Sequence, residues 1–356
     1  MKQNLTTILR VGITLSAIAA IILLGYSAEH TLSCLLFSFV LAYLLDPFVV
    51  LLERRRVSRL QGILILYALL AVFSYFCVTI LIPLVTTGWN SLVLDLPDYY
   101  NKASQLALEL KGRFGLARSV QEWNWLVDSI QNGADKILAK IGAGAYAAAS
   151  SLVLNLFNLL LAPILVYFML FYKTDTLEGI KRWLPASHRG FILAVGRDIN
   201  DSIGGYIRGQ VIVSIIVAVI SSVAMMILNI NHPIFCGIFA GIASIIPFIG
   251  VLLATLPPLF FAYAEYQSGM LLLQVMTAFA VIYFVEGYVI KPLVFKKSMD
   301  LNPLVTILMV MLMGELMGFW GILLGIPCAG AIKIFFAHLR RESDLADEEI
   351  GMNNNS

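Results

Sequence analysis

The chain has 356 residues, 60% of them hydrophobic and 13% charged, with a mean hydropathy of +0.87. Soluble domains carry about 45–50% apolar and about 25% charged residues, so a cytosolic enzyme, a nucleic-acid binder and a secreted disulfide scaffold all fit poorly. Its 24 basic and 22 acidic residues leave a net charge of +2, too balanced for a polyanion partner. The composition is that of an all-α polytopic membrane protein.

A helix that crosses a bilayer needs about 20 apolar residues. In chain order the candidates are 11–27, 31–50, 62–86, 147–172, 209–230, 233–262, 269–290 and 303–337. Lys2 and Arg10 ahead of the first stretch resemble a signal peptide. Bulky Tyr26, at the −3 position of a cut after Ala28, points instead to an uncleaved first helix. Asp46-Pro47 shortens the second stretch and turns its end along the interface, with Asp46 as an interfacial cap. Residues 1–86 then form an N-terminal scaffold of spans.

A polar stretch at 87–146 follows, in which Leu96, Tyr99, Ala103, Leu106 and Leu110 recur at helical spacing. It reads as a small helical cap outside the membrane, with Trp123 and Trp125 as interface anchors or partner contacts. A fourth span and a basic linker fill 147–208, and a transport core fills 209–337. The acidic tail, 338–356, ends in an asparagine run and is expected to be disordered.

Lys and Arg stay on the cytoplasmic side, which orients the chain. Arg54, Arg55, Arg56 and Arg59 hold the loop after the second span inside. The cap then lies outside, and the linker with Lys173, Lys181, Arg182, Arg189, Arg197 and Arg208 lies inside. The conflict comes at 233–262. If this stretch crosses once, Lys291, Lys296 and Lys297 land outside. It carries Pro247-Phe248-Ile249-Gly250 at its middle and Pro257-Pro258 near its end, and an interior proline breaks a helical hydrogen bond. Two half-helices that enter and leave on the outer side put the three lysines inside. Eighteen of the 24 basic residues are then cytoplasmic.

The last stretch, 303–337, is also too long for one span, and it is broken at Gly314-Glu315-Leu316-Met317-Gly318-Phe319-Trp320-Gly321. With Arg340 and Arg341 inside it starts and ends on the cytoplasmic face, as a second hairpin of opposite orientation. The architecture expected is about six spanning helices with two re-entrant helical hairpins; two kinked ordinary helices are the alternative. Paired, oppositely oriented broken segments point to a transporter site at their tips, here Pro247, Phe248, Ile249 and Gly250 with Gly314, Glu315, Gly318 and Gly321.

Few ionisable groups lie in the apolar stretches, and each is costly there. Glu286 and Glu315 can couple transport to a proton or a monovalent cation. Equally, Glu286 can pair with Lys291 or Lys297, and Glu315 can cap a half-helix. Gly237-xxx-Gly241, Gly314-xxx-Gly318 and Gly321-xxx-Gly325 allow close packing, chiefly within each hairpin. Asn155, Asn158, Asn229, His232 and Asn302 can line a polar path or serve as caps and turns. Cys34, Cys77, Cys236 and Cys328 read as small core residues, with no metal or disulfide spacing. HExxH, GxSxG and Walker motifs are all missing, so no enzyme activity and no cofactor is expected.

The runs Tyr206-Ile207-Arg208-Gly209-Gln210, Ile246-Pro247-Phe248-Ile249-Gly250, Val289-Ile290-Lys291-Pro292 through Leu301-Asn302-Pro303, and Gly314-Glu315-Leu316 through Ile326-Pro327 resemble the autoinducer-2 exporter (AI-2E) family over nearly the whole chain. The resemblance implies a homo-oligomer, a pentamer, in the bacterial cytoplasmic membrane; the basic residues put both termini on its cytoplasmic side. It also implies two hairpins that hold a small polar solute and move, elevator-like, against a scaffold. Arg208, Gln210, Lys291 and Asn302 are the supporting residues of that site. Similar proteins export autoinducer-2 or exchange Na⁺ or Li⁺ for protons, and a third reading is a non-transporting membrane scaffold that binds a partner through the cap.

Overall fold

The structure is a computed structural model that describes residues 29–92, 152–186, 189–246, 249–266, 268–295 and 301–353. The expected first span, nearly all of the cap, Lys296 and Lys297 lie outside these residues. Every regular element among the described residues is helical. They are α1 Glu29–Arg54, α2 Arg59–Phe76, α3 Leu152–Phe171, α4 Lys173–Trp183, α5 Arg189–Ile227, α6 Pro233–Ala243, α7 Ile249–Tyr266, α8 Gly269–Val285, α9 Lys291–Phe295 and α10 Pro303–Asn353. Five stretches among them are long and apolar enough to cross a membrane: Thr31–Arg54, Arg59–Leu92, Arg189–Ile227, Gly269–Phe295 and Pro303–Arg341. Leu160–Phe171 with Lys173–Trp183, bent by 60°, makes a sixth if the pair is counted as one.

The chain falls into two units. One comprises residues up to Leu66 together with Leu152–Leu184. Here Val49, Val166 and Leu170 are fully buried, and the Ser38 hydroxyl reaches the carbonyls of Cys34 and, at 3.4 Å, Ala162. Asp46 differs from expectation. Helix α1 continues through Pro47 to Arg54, because losing one backbone bond does not outweigh burial of Leu45 and Val49 on either side. Asp46 is therefore no interfacial cap. Its carboxylate takes Lys173 at 2.6 Å and Arg59 at 3.9 Å, while Arg59 also pairs with Glu53 at 2.9 Å. The Arg59 Nε donates to the Leu170 carbonyl at 2.6 Å, satisfying a free acceptor at the end of α3.

The other unit holds the chain from Tyr67 to Ser151 and from Pro185 onward. Its axis is α5, one helix of 39 residues. The boundary drawn at 208/209 between linker and transport core thus falls within a continuous rod. After α5, Pro233 opens α6 at a position where a missing N–H costs nothing. The helix stops at Ala243, and α7 begins at Ile249. These arms fold back on each other: Phe261 of α7 meets Phe235 at 6.2 Å and His232 at 5.3 Å, both at the far end of α6.

Helix α10 is likewise two arms, broken at Gly318, whose φ of 56° and ψ of −134° suit glycine and strain any other residue. The arms run antiparallel. A Cβ on Gly314 would stand 3.0 Å from Ile322, one on Gly325 would stand 3.1 Å from the Val310 Cα, and one on Gly321 would collide with the Met313 carbonyl. Beyond the hairpin the helix persists through the acidic tail to Asn353, where the composition predicts disorder. Glu, Ala and Leu are strong helix formers, and no proline interrupts them.

Candidate functional site

Both hairpins dock on α5. The first does so through small residues: a Cβ on Gly237 would strike Ser222 and the Ala218 carbonyl, and one on Gly241 would lie 2.6 Å from the Ser214 carbonyl. This glycine pair therefore packs the hairpin against its neighbour rather than arm against arm, as the sequence led us to expect. Gly321 and Gly325 do pack arm against arm. At the first tip, Gln210 of α5, 6% exposed, donates its amide to the Ser244 carbonyl at 2.9 Å. Ser214 lies 3.3 Å from the Ser244 hydroxyl, which also donates to the Gly241 carbonyl at 2.8 Å. The carbonyls freed where α6 ends are thus partly satisfied by α5.

The second hairpin reaches α5 lower down. His338, on its outgoing arm, sits 2.8 Å from Asp198 and edge-on to Phe191. Between these two contacts α9 packs on the same rod. Tyr206 stacks on Phe295 with ring centroids 5.6 Å apart, and Gly209 leaves room for Phe295 and Val294.

Glu286 begins a π-helical turn, Glu286–Ile290, that joins α8 to α9. In an α-helix, residues five apart point about 140° away from each other. Here the Lys291 N–H bonds the Glu286 carbonyl, and the wider turn brings the two side chains together. The Lys291 Nζ stands 2.9 Å from Glu286 Oε1. The carboxylate is 4% exposed and the lysine 38%, so the ammonium covers a buried acid. Glu286 Oε2 and the Tyr283 hydroxyl, one turn earlier, are buried without a hydrogen-bond partner among the described residues.

The remaining predicted residues are dispersed. Glu315 is exposed on the incoming arm of α10, and no ion pair or hydrogen bond joins it to Glu286 or to the first tip among the described residues. Arg208 is half-buried and pairs with no acid among them. The Asn302 side chain accepts the Leu304 N–H at 2.9 Å, the bond of a helix cap. Gly250 packs against the Ala243 carbonyl and donates to Ile246 at 3.0 Å, whereas Pro247, Phe248 and the side chain of Ile249 lie outside the described residues. Asn229 offers its carbonyl to the Tyr266 hydroxyl at 2.9 Å. Cys34 and Cys236 are buried and Cys77 and Cys328 half-buried, and none of the four is in a disulfide among the described residues. No cluster of metal-binding side chains forms among the described residues.

Sequence reading missed Ser202, Ser214 and Ser244. The first two were accessible in principle, since Ser202, Tyr206, Gln210 and Ser214 recur every fourth residue of a helix.

Long apolar helices with two helical hairpins docked on one rod define a polytopic helical membrane protein. The profile of the AI-2E family transporters matches residues 13–341, and the chain belongs to that family. It is similar to the putative transport protein YrrI of Bacillus subtilis, 26% identical over 86% of each chain. It is also similar to the putative permease PerM of Escherichia coli K12, 26% identical over 89% of each chain. The AI-2 transport protein TqsA of the same organism is 27% identical over 90% of this chain and 92% of its own. The family is one of transporters.

Proposed function

We propose that the chain is a secondary transporter that exports a small polar solute across the bacterial cytoplasmic membrane, as a homo-oligomer with both termini inside. The two hairpins re-enter the membrane from opposite faces, meet the solute near their tips and move, elevator-like, against a scaffold. The observation that carries this reading is the pair of broken apolar segments, 233–262 and 303–337, each folded back on itself, the first docked on α5 and the second continued by His338, which pairs with Asp198 of α5. Backbone broken in this way belongs at membrane depth only beside protein or a solute path. The pentamer rests on resemblance alone.

The relative named as an AI-2 transport protein makes autoinducer-2 the solute to test first. Purified protein in vesicles should move labelled autoinducer-2 when an ion gradient is imposed and not when it is collapsed. Flux equal to that of empty vesicles would remove this solute. The topology has a separate test: a cysteine at Lys297 should react with an impermeant reagent only from the cytoplasmic side. Outside labelling would sink the first re-entrant hairpin.

A second reading is a Na⁺ or Li⁺/H⁺ antiporter. It is favoured by Glu286, a buried carboxylate with one oxygen unpartnered beneath Lys291. A cation pulse outside vesicles loaded with a pH dye should change the internal pH, and Glu286→Gln should abolish the change. If Glu315→Gln does so instead, the coupling residue is the exposed one.

A further inference from the structure

Ser202, Tyr206, Gln210 and Ser214 stand at every fourth position of α5. On a helix of 3.6 residues per turn that spacing forms one slowly drifting stripe. It is not a solvated face: Ser202, Tyr206 and Gln210 are 7%, 3% and 6% exposed. Gln210 and Ser214 spend hydrogen bonds on Ser244 at the first hairpin tip. The Ser202 and Tyr206 hydroxyls, one turn apart, are buried with no hydrogen-bond partner among the described residues. Buried polar groups are nearly always bonded, so two orphans on one stripe call for an explanation.

Their place in the fold supplies one. The stripe occupies the stretch of α5 framed by the two hairpins, with Ser244 bonded at Gln210 and His338 at Asp198, one turn before Ser202. We propose that Ser202, Tyr206 and Gln210 form a binding site for an uncharged solute bearing hydroxyl and carbonyl groups, on the cytoplasmic side of the hairpins. Each of the three groups both donates and accepts, so it exchanges hydrogen bonds with such a solute one for one. None carries charge, and Arg208 lies about 200° around the helix from Tyr206. The three groups themselves offer an ion no charge to offset the hydration it would lose there. The Tyr206 ring, stacked on Phe295, fixes where its hydroxyl can point.

The site rests on the reading of the chain as a solute transporter and adds to it the residues and the neutrality of the cargo. Two measurements on the full-length protein in vesicles test it. Tyr206→Phe keeps the stacked ring and removes only an unpartnered hydroxyl, so the melting temperature should stay level or rise. Flux of labelled autoinducer-2 should nevertheless fall about tenfold, the loss of one or two hydrogen bonds to the solute. Ser202→Cys should react with a small impermeant thiol reagent from the cytoplasmic side, above the labelling of the unsubstituted protein, and autoinducer-2 should slow that reaction. Unchanged flux in Tyr206→Phe, or no labelling at 202 in vesicles that transport, overturns the site and leaves the transporter reading intact. Labelling at 202 in vesicles that carry no autoinducer-2, when slowed by another neutral polyol, overturns the choice of solute and keeps the site. Slowing by a carboxylate of similar size but not by a polyol overturns the neutrality.

Discussion

Lys291 follows Glu286 by five residues, yet its ammonium lies 2.9 Å from the Glu286 carboxylate, because a π-helical turn carries it round to the same side. The acid is almost fully enclosed and the base sits at the rim. The two partners therefore do not share the consequences of substitution equally.

Lys291→Met should destabilise more than Glu286→Gln. The first leaves a buried charge uncompensated, at a cost that reaches about 3–5 kcal/mol for fully buried pairs and is smaller here because the lysine is partly solvated. The second frees an ammonium that can swing into water. Glu286→Gln added to Lys291→Met should recover most of the loss, read as melting temperature in nanodiscs. Equal melting of the two single variants would contradict this asymmetry.

Gly237→Val and Gly241→Val should each weaken the docking of the first hairpin on α5, by about 1–3 kcal/mol if the helices can part and by more if they cannot. The atoms in the way belong largely to the backbone of Ala218 and Ser214, which cannot rotate aside. Gly196→Ala, on the same α5 rod where nothing lies within 4 Å, is the control and should be neutral or slightly stabilising. A scan of melting temperatures separates the two groups.

Gly318→Ala and Gly321→Ala should both harm the second hairpin, for different reasons. At Gly318 there is open space but a positive φ, so the cost is conformational, about 1–2 kcal/mol. At Gly321 the backbone is ordinary and the collision is with the Met313 carbonyl. Gly318→Asn should regain little at that position, since asparagine's tolerance of positive φ belongs to the left-handed α region, far from a ψ of −134°. Gly321→Asn should be worse than Gly321→Ala. Cysteine crosslinking between positions 310 and 325 reports whether the arms remain apposed.

Asp46→Asn should loosen the first unit more than Glu53→Gln. Among the described residues Asp46 answers both Lys173 and Arg59, whereas Glu53 answers Arg59. The effect should shrink with added salt only slightly, because the Asp46 side chain is 22% exposed and poorly screened. Protease sensitivity of the α3–α4 bend at Tyr172 is the readout.

Much of the helical architecture was legible because apolar runs, prolines and glycines obey few rules. Gly250 marked where α7 starts and Gly314 with Gly318 where α10 breaks, and the Glu286–Lys291 pair was one of two partnerships foreseen for that acid. Three features were not legible. Pro47 looked like a terminator, but the packing of Leu45 and Val49 carries α1 past it. Gly237 and Gly241 could have faced either neighbour, since spacing alone does not say which helix fills the notch. The break of helix geometry at Glu286–Ile290 has no sequence signature, so nothing in the residues distinguished Lys291 from Lys297 as the partner.

The length of α5 sets a further condition. Thirty-nine residues at about 1.5 Å each span about 58 Å, against about 30 Å of hydrocarbon in a typical bilayer. Almost half the shaft must stand among headgroups and water, and its basic first half is the part that does so. If the hairpins travel as proposed and drag this shaft, Arg189, Arg197 and Arg208 pass the lipid phosphates with it. The thickness and anionic charge of the surrounding lipid then act as a brake or an assist on turnover, much as the depth of a bearing governs a piston.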